Sequence, residues 1–501
     1  MSNNLNTRTA LLTAAEMSEA DRLTVAYGIS DIALMENAGR PVAEAIMQRW
    51  TPRPVIVLCG PGSNGGDGFV VARRLAAADW PVSVALLGSV DQLRGAAAHH
   101  AALWHDPIES MAPESLDGAE LVVDAIFGAG LSRRVDGIAA ATLSAAAERK
   151  LTIVAVDIPS GVMGDTGENL GAVAAVLTVT CFRKKPGHLL QPGRALCGEL
   201  VVGDIGTPAF VFDQINPDAF ENDPILWAES LPEVQDSDNK YDRGHALLVG
   251  GYPATGAARM ASRAAARCGV GLTTIAVPEI ALPIYAATLT SVMVTPLAAL
   301  ADLERLLADR RYSALLIGPG AGISPTTRAY VLAMLKAARP IVLDADALSI
   351  FRGDPTDLFG AICSPCVLTP HEGEFARLFD VGSDKLTRTR AAARASGAII
   401  VLKGSDTVIA APDGRAIVNS NAPPTLSTAG AGDVLSGIIL GLLAQGMEPF
   451  MAAAAAVWLH GAAAAAFGPK LMAEDLPDLL PAVFAQLQSF HTPTRNAPCM
   501  Q

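Results

Sequence analysis

A glycine-rich segment follows the first strongly apolar run of the chain. Residues 55–59 are apolar, and five of the next nine residues are glycine. Glycine lets backbone amides approach a ligand closely, which suits a phosphate group. The simpler interpretation is a tight turn whose Asp67 caps a helix. Such a cap needs one polar residue and one glycine, so the remaining glycines favour a binding loop.

Two further apolar runs of the first half end in carboxylates. Asp124 follows residues 121–123 and precedes a small-residue segment at 128–130, and Asp157 follows residues 153–156 and precedes Ser160. The carboxyl ends of parallel strands form the edge of the sheet where such folds keep their sites. Either aspartate alone is typical of a loop or a cap. Three such strand ends in one half of the chain favour a site.

The second half contains a carboxylate at the start of a long apolar segment. Small residues at 429–432 clear space for backbone amides at a helix N-terminus, which attract phosphate, and Asp433 follows them. A helix cap is the alternative. A capping aspartate needs no glycine-flanked loop before it, so we favour a functional role. We expect the helix dipole to keep Asp433 ionised, as a general base requires.

Other strand ends of the second half also carry glycine or polar residues. They are the segment 318–322, Asp344 with Asp346, the segment 369–374 with His371, and the segment 403–407 with Lys403. Simpler interpretations stay open for each of them. His371 could begin a helix, and Lys403 could cover an edge of the sheet. Asp344 and Asp346 could position magnesium through water or could only order loops.

The spacing of the apolar runs predicts the elements that hold these residues. Runs without polar alternation are typical of strands buried on both faces, and the Ala-rich segments between them are long enough for helices. The predicted strands are 55–59, 82–87, 121–123, 153–156, 174–180, 246–249, 273–277, 314–317, 341–343, 367–369 and 399–402. Two long helices, 432–445 and 449–467, follow them. The βαβ alternation predicts the α/β class, with a doubly wound parallel sheet in the first half.

The alternation lapses between residues 208 and 240, where acidic residues and prolines dominate. We expect an inter-domain connection there. The chain would then consist of a domain at 1–215, a linker at 216–239 and a domain at 240–490. The polar, proline-containing tail after residue 489 is expected to be frayed.

Composition argues against several classes of partner. The 501 residues carry a formal net charge of −13, so the chain lacks the broad positive field of nucleic-acid-binding proteins. Residues 1–20 lack the apolar core of a signal peptide, and the apolar stretch 451–467 is too weak and short to span a membrane. Seven cysteines at irregular positions, with a single C-x-x-C at 363–366, indicate reduced, mostly buried thiols. We expect a cytoplasmic protein that binds small molecules, and neither nucleic acid nor membrane.

Residues 13–205 resemble the NAD(P)HX epimerase family. The similar segments are 63–68, 123–130, 156–161, 184–188 and 192–193, with a serine at 63 where the family usually has asparagine. The resemblance implies a potassium ion held by Asn64, Asp124 and Ser160, and it places Asp157 at the reacting ring, where a carboxylate can shuttle a proton. The dinucleotide contacts that it implies are Ser63, Asn64, Gly65, Gly66, Asp67, Gly128, Ala129, Gly130, Leu131, Ser132, Arg133 and Arg134.

Residues 240–487 resemble the ribokinase-like superfamily and, within it, the ADP-dependent NAD(P)HX dehydratases. The similar segments are 240–251, 369–374, 403–407 and 428–437, with an alanine at 431 where threonine or methionine is common. The resemblance implies ADP, magnesium, and Asp433 as the base that activates the ring hydroxyl. The contacts that it implies with the hydrated nicotinamide are Ala257, Gly320 or Gly322, and His371. The contacts that it implies with ADP are Lys403, Gly404, Ser405, Asp406, Thr407 and Gly432.

The two resemblances together imply an enzyme that repairs hydrated NADH and NADPH (NADHX and NADPHX). One domain would interconvert the R and S hydrates, and the other would dehydrate the S hydrate with ADP, giving AMP and phosphate. We expect a homo-oligomer. Two alternatives stay open: a small-molecule kinase with a regulatory N-terminal domain, and a non-enzymatic N-terminal scaffold. A kinase would release a phosphorylated alcohol, and a scaffold would need none of Asn64, Asp124 and Asp157.

Overall fold

The computed structural model describes residues 7–487, which form two compact units that meet in sequence between Phe220 and Glu221. Cys499 and the predicted frayed tail after residue 489 lie outside the described residues. The six cysteines of the described part are free thiols, four of them buried, as the sequence indicated.

The first unit is built on one parallel sheet. Its strands are β1 (Val55–Cys59), β2 (Val82–Leu86), β3 (Ile108–Ser110), β4 (Leu121–Ala125), β5 (Thr152–Val156), β6 (Leu177–Cys181) and β7 (Glu199–Gly203). Its helices are α1 (Ala14–Tyr27), α2 (Asp31–Arg49), α3 (Ser63–Ala76), α4 (Gly95–Ala102), α5 (Gly137–Glu148), α6 (Gly193–Cys197) and α7 (Val211–Ile215). The strand order is β3-β2-β1-β4-β5-β6-β7, and all neighbours pair in parallel. The order reverses at β1, so a crevice opens at the carboxyl ends of β1 and β4.

Alternate residues of the central strands enter opposite apolar layers. Val57 of β1 and Val123 of β4 pack with residues of α2 and α3 on one face of the sheet. Ile56 and Val122 pack with residues of α5 on the other face. Because both faces are covered, these strands carry no polar alternation. The central strands could therefore be identified in the sequence from their continuous apolar runs.

The second unit contains a larger mixed sheet. Its strands are β8 (Ala219–Glu221), β9 (His245–Val249), β10 (Leu272–Val277), β11 (Met293–Pro296), β12 (Ala314–Ile317), β13 (Ile341–Leu343), β14 (Cys366–Leu368), β15 (Ile399–Leu402), β16 (Val408–Ala410) and β17 (Ala416–Val418). Its helices are α8 (Thr255–Arg267), α9 (Leu282–Thr288), α10 (Leu300–Ala308), α11 (Pro325–Lys336), α12 (Asp346–Ser349), α13 (Pro355–Ala361), α14 (Glu372–Leu378), α15 (Lys385–Ser396), α16 (Ala431–Ala444), α17 (Pro449–Phe467) and α18 (Leu476–Leu487). The order is β11-β10-β9-β12-β13-β14-β15-β16-β17-β8. The strands from β11 to β15 are parallel, and β15, β16 and β17 pair antiparallel.

The apolar helices of the second unit form its core. Helix α16 packs against α8 and α17, and its residues from Val434 onward are buried. Helix α17 has 19 residues, with a mean hydropathy of 1.6 over its most apolar window, so length and composition alone would allow it to cross a membrane. The prediction that this stretch is too short was wrong, because the helix begins at Pro449. Since 67% of that window is buried inside the protein, α17 has the character of a core helix.

Part of the predicted linker is packed. Asn222 Nδ2 donates to Asn419 Oδ1 (2.9 Å) and to the carbonyl oxygen of Ala454 (2.8 Å). Trp227 is 1% exposed, and its Nε1 donates to Asn222 Oδ1 over 3.0 Å. Residues 222–227 therefore belong structurally to the second unit, whereas the functional boundaries at 215 and 240 stay predictions.

Candidate active sites

The first candidate site lies at the crevice beside β1 and β4. The turn from β1 to α3 is tightly folded, because a Cβ at Gly65 would lie 1.8 Å from the carbonyl oxygen of Gly60. The expectation that this loop departs from the G-x-G-x-x-G spacing of dinucleotide-binding turns was wrong, because Gly60, Gly62 and Gly65 have that spacing. Ser63 is exposed, Asn64 is half-buried, and Gly65 and Gly66 are buried in the first turn of α3.

Asp157 follows β5 with a left-handed backbone (φ 66°), a conformation that aspartate tolerates better than most residues. Its Oδ1 accepts from Lys185 Nζ (2.6 Å) and from Thr180 Oγ1 (2.9 Å). Its Oδ2 accepts from the amide of Ala129 over 2.9 Å. The carboxylate is thus held from β6, from the turn after β6 and from the loop after β4.

Three carboxylates of this site differ in pKa. Burial alone would raise the pKa of Asp157, but Lys185, with the amide of Ala129, holds that pKa below its ordinary value. Burial and the charges of Asp157 and Asp21 raise the pKa of Asp67 well above the ordinary range. Burial also raises the pKa of Asp21 to about 6. Of these three carboxylates, Asp157 is therefore the one that its surroundings hold ionised most strongly.

Asp124 and Ser160 form a buried polar pair beside Asn64. Asp124 is 1% exposed, and its oxygens accept from Ser160 Oγ (2.6 Å) and from the amide of Ser160 (2.8 Å). Burial raises the pKa of Asp124. Asn64 Nδ2 is buried and has no hydrogen-bond partner among the described residues. These oxygen donors and the carboxylate, which has no cationic side chain bonded to it, suit a cation.

The loop after β4 adjoins both Asp157 and Asn64. A Cβ at Gly128 would lie 3.0 Å from Asp157 Oδ2 and 3.3 Å from Asn64 Oδ1, so only glycine fits there without displacing a neighbour. Leu131 is half-buried, whereas Ser132, Arg133 and Arg134 are exposed on the same loop, as is Gly130. Gly128 therefore adjoins both Asp157 and Asn64, and the two arginines of this loop are exposed to solvent.

The second candidate site surrounds the start of α16. Its N-cap is Gly430 (φ 89°), so Asp433 lies inside the first turn and does not cap the helix. Burial and the neighbouring charge of Asp344 raise the pKa of Asp433 to about 7, although Lys403 opposes this shift. The expectation that the helix dipole keeps Asp433 fully ionised was wrong, because burial and like charges outweigh the dipole. A pKa near neutrality suits a group that must take up a proton.

Lys403, directly after β15, is the cation of this site. Its Nζ donates to Asp344 Oδ1 over 2.9 Å and lies 4.0 Å from Glu374 Oε2. Burial alone would lower the pKa of Lys403, but the charges of Asp344, Glu374 and Asp433 raise it. A Cβ at Gly432 would lie 3.2 Å from Lys403 Nζ, so the lysine and the glycine-rich loop adjoin each other. Lys403 faces this site and does not merely cover an edge of the sheet.

The rest of the 403–407 segment divides into exposed and buried members. Gly404 and Ser405 are exposed. Asp406 is buried and pairs with Lys385 Nζ over 2.6 Å. Thr407 Oγ1 donates to the carbonyl oxygen of Gly404 over 2.9 Å. Asp406 and Thr407 therefore shape the turn, while Gly404 and Ser405 lie at the surface.

His371 begins α14, as the simpler interpretation held. Its Nδ1 accepts from the amides of Gly373 (2.9 Å) and Glu374 (3.4 Å). Because Nδ1 is the acceptor, the proton of the neutral ring is on Nε2. The side chain is 56% exposed, and its Nε2 lies 3.6 Å from Glu374 Oε1, while the other nitrogen caps the helix.

The glycine loop after β12 is fixed by its neighbours. A Cβ at Gly320 would lie 2.3 Å from the carbonyl oxygen of Ala254 and 3.6 Å from Ala257 Cβ, whereas a Cβ at Gly322 would be in open space. The amide of Gly322 donates to Asp346 Oδ2 over 2.8 Å. Ala345, between the two aspartates, has φ 47° and ψ −114°, a strained conformation for alanine. Asp346 thus orders the loop, and Gly322 is its open member.

Some residues of these sites carried little signal in the sequence. Lys185, Thr180 and His188 contact Asp157. The segment 184–188 was recognised as similar to the epimerase family, but that resemblance implied no role for Lys185 or His188. Glu374 also lay in a quoted segment without a role. A lysine in a loop and a threonine in a strand have no spacing that marks them as partners of a distant aspartate.

The fold and the two sites define a two-domain α/β enzyme, Rossmann-like in its first unit and ribokinase-like in its second. Residues 31–187 match the family of the YjeF-related protein N-terminus, and residues 246–483 match the NAD(P)H-hydrate dehydratase family. The chain is 39% identical to the bifunctional NAD(P)H-hydrate repair enzyme Nnr of Moorella thermoacetica, over 95% of this chain and 97% of that one. It is 38% identical to the Salinibacter ruber enzyme of the same name, over 95% and 96%. The chain belongs to the family of bifunctional NAD(P)H-hydrate repair enzymes.

A solved structure also resembles the second unit. It is that of an ADP/ATP-dependent NAD(P)H-hydrate dehydratase from Bacillus subtilis, co-crystallised with ATP and Mg²⁺. The sequence identity is 32%, the TM-score is 0.47, and the match covers 53% of this chain and 98% of that one.

Proposed function

We propose that the chain repairs hydrated NADH and NADPH in two steps. The first unit interconverts the R and S hydrates, and the second unit dehydrates the S hydrate with ADP, giving AMP and phosphate. The observation that carries this proposal is a titratable carboxylate beside a glycine-rich loop at the carboxyl edge of each sheet: Asp157 in the first unit and Asp433 in the second.

The epimerisation needs a base that is ionised before the substrate binds. In the hydrate, a ring carbon beside the nitrogen carries the hydroxyl, which the nitrogen lone pair can expel as hydroxide. Water can then add to the same carbon on the other face, giving to Asp157 the proton that converts the hydroxide to water. Asp157 Oδ2 accepts a single hydrogen bond, from Ala129, and has remaining capacity to hold the moving proton. The proposed dinucleotide contacts are residues 63–67 and 128–134.

A potassium ion is the proposed cofactor of the first unit. Asn64, Asp124 and Ser160 fit it, because they offer the oxygens of an amide, a buried carboxylate and a buried hydroxyl. When bound, the ion would supply a positive charge beside the coenzyme. The reacting proton stays with Asp157.

The dehydration needs an activated hydroxyl and a phosphate acceptor. Asp433 takes the proton of the ring hydroxyl, whose oxygen attacks the terminal phosphorus of ADP, and the bond from that phosphorus to AMP breaks. The ring nitrogen then expels the phosphate, and loss of a proton from the adjacent carbon restores the dihydro ring. Lys403 lies beside Gly432, where its charge can stabilise the transferring phosphoryl group.

Ligands of the second unit are proposed on the same basis. The proposed contacts of ADP are Lys403, Gly404, Ser405 and Gly432, with Asp406 and Thr407 shaping the turn. Ala257, Gly320 or Gly322, and His371 are proposed for the hydrated nicotinamide. Asp344 and Asp346 fit a magnesium ion held mainly by nucleotide phosphates, since Mg²⁺ commonly takes only one or two protein carboxylates there. Magnesium would neutralise phosphate charge.

One assay tests the function. The full chain is given a mixture of R and S hydrates with ADP, and the near-ultraviolet absorbance of reduced coenzyme is followed together with AMP and phosphate. We expect both epimers to be consumed and one AMP to form per coenzyme restored. A stable phosphorylated alcohol without restored absorbance would establish the kinase alternative. Consumption of the S hydrate alone would leave the first unit as a binding module.

The cellular setting is a further proposal. The acidic charge and the small-molecule sites favour a cytoplasmic homo-oligomer that binds no nucleic acid. Cell fractionation and sedimentation of the purified chain test the location and the oligomeric state.

A further inference from the structure

The turn after β6 holds Asp157 from two sides. Lys185 is 3% exposed, and its Nζ donates to Asp157 Oδ1 (2.6 Å) and to Thr180 Oγ1 (2.8 Å). Thr180 Oγ1 in turn donates to the same Asp157 oxygen over 2.9 Å. His188, three residues further on, contacts the carbonyl oxygen of Asp157 through Nε2 over 2.8 Å. One short turn therefore fixes both the side chain and the backbone of the proposed base.

The tautomer of His188 follows from its other contact. The amide of Lys185 donates to His188 Nδ1 over 2.9 Å, so the ring proton is on Nε2 and is donated to the carbonyl oxygen of Asp157. Burial lowers the pKa of His188 to about 4, which keeps the ring neutral at neutral pH. Lys185 is therefore the cation that directly contacts the carboxylate of Asp157.

The two oxygens of Asp157 are used differently. Oδ1 accepts from two side chains, whereas Oδ2 accepts one backbone amide and adjoins Gly128 of the proposed substrate loop. We propose that Lys185 is the positioning residue of the epimerase site, which with Thr180 fixes Oδ1 so that Oδ2 faces the substrate as an ionised base. The proposal rests on the proposed epimerase function.

The groups around Asp157 show why the lysine is needed. Asp67 of α3 and Asp21 of α1 face the same region, and the charge of Asp157 raises the pKa of both. Burial opposes ionisation of Asp157, and the charge of Lys185 outweighs the effect of burial. Without the lysine, the pKa of Asp157 would rise above its usual value and Asp157 would be partly protonated near neutral pH.

The kinetic test replaces Lys185 by methionine, which keeps an unbranched chain of similar length in this buried position. For Lys185→Met we expect kcat for epimerisation to fall about 10²-fold with KM within about twofold, and to recover as pH rises. The wild type should show no such dependence between about pH 5 and pH 8. Lys184→Met, the same change at the neighbouring residue, is the matched control and should retain the wild-type rate and profile. Dehydration of the pure S hydrate should be normal in both variants.

A melting experiment tests the pairing without any activity. Lys185→Met leaves a buried carboxylate unpaired, so the first unit should melt several degrees lower than in the wild type. Adding Asp157→Asn removes the unpaired charge, and the double variant should regain at least half of that loss. A lysine that only fills space would give no such recovery.

The outcomes separate the two claims. A normal kcat in Lys185→Met, a loss of rate that is equal at all pH values, or no recovery in the double variant would each overturn the role of Lys185. If the wild type does not epimerise the hydrate at all, the proposed function fails, while the melting experiment still decides whether Lys185 and Asp157 are coupled.

Discussion

The two candidate sites use the same kinds of groups with opposite electrostatic results. Each has an aspartate and a buried lysine near the carboxyl edge of a sheet. In the first unit Lys185 bonds the proposed base itself, and the pKa of Asp157 is lowered. In the second unit Lys403 bonds Asp344 instead, and the pKa of Asp433 rises to about 7.

The difference shows that ionisation of the proposed base depends on which aspartate the lysine contacts. Asp157 has a lysine of its own and is ionised before the substrate arrives. Asp433 is half-buried near Asp344, Asp346 and Glu374, and burial together with their charges outweighs the influence of Lys403 on its pKa. The first arrangement suits a proton that moves on and off one carboxylate, and the second suits a base that gains a proton as phosphate is attacked.

Separating the units gives the largest expected effect. A fragment of residues 217–501 should dehydrate the S hydrate at the wild-type rate and consume the R hydrate only as fast as it epimerises spontaneously. Coenzyme recovery from each pure epimer measures this. The matched fragment 223–501 lacks Asn222 and its bonds to Asn419, Ala454 and Trp227, so it should melt several degrees lower. Equal handling of both epimers by the longer fragment would contradict two independent sites.

Replacing the base of the first unit comes next. Asp157→Asn keeps the shape of the side chain but removes the proton acceptor, so epimerisation should fall by about 10²- to 10⁴-fold. Dehydration of the pure S hydrate serves as the internal control and should not change. An unchanged epimerisation rate would remove Asp157 from the mechanism.

Replacing the base of the second unit should lower dehydration by at least about 10²-fold. Asp433→Asn should leave ADP affinity nearly intact, because backbone amides and the Lys403 segment are expected to hold the phosphates. R-to-S epimerisation is the internal control. Near-normal dehydration by the folded variant would exclude Asp433 as the base.

The same variant has a stability signature with a definite sign. The folded pKa of Asp433, about 7, exceeds the ordinary value of about 3.9, so its favourable contribution is present below about pH 4 and is lost as pH rises to about 7. Above that pH, Asp433→Asn should therefore melt at or above the wild-type temperature. A large drop would instead identify Asp433 as a structural residue.

The variant with the smallest predicted effect tests whether Asp344 controls the pKa of Asp433. Asp344→Asn removes the charge that raises the pKa of Asp433 and frees Lys403 to pair with Asp433. The acid limb of the dehydration profile should therefore move down by about one pH unit. The rate at saturating ADP and S hydrate, measured across pH, checks this, with epimerisation unaffected. A limb that stays in place or moves upward would show that Asp344 does not control Asp433.

The central strands could be predicted from the sequence, and the edge strands could not. β1, β12 and β15 were predicted at their observed bounds, because burial on both faces makes them continuously apolar. β3, β7 and β11 were missed, since their side chains are largely exposed at the sheet edges. The short antiparallel strands β16 and β17 were missed as well.

Candidate residues could be found at strand ends, but their electrostatics could not. Asp157 and Asp433 were predicted from their place after strands and glycines. Whether either is ionised depends on which lysine reaches it, and Lys185 and Lys403 are brought in by folding from distant parts of the sequence. The local helix dipole alone predicts an ionised Asp433, whereas burial and neighbouring carboxylates raise its pKa to about 7.

The packing of Asn222 has a consequence for synthesis of the chain. Its partners Asn419 and Ala454 lie 197 and 232 residues further along, so a ribosome adding about 5 to 20 residues per second makes Ala454 roughly ten to fifty seconds later. During that interval Trp227 lacks the neighbours that bury it in the finished protein. The nascent second unit thus carries an apolar segment that invites chaperone binding, while all residues of the first unit have already been translated.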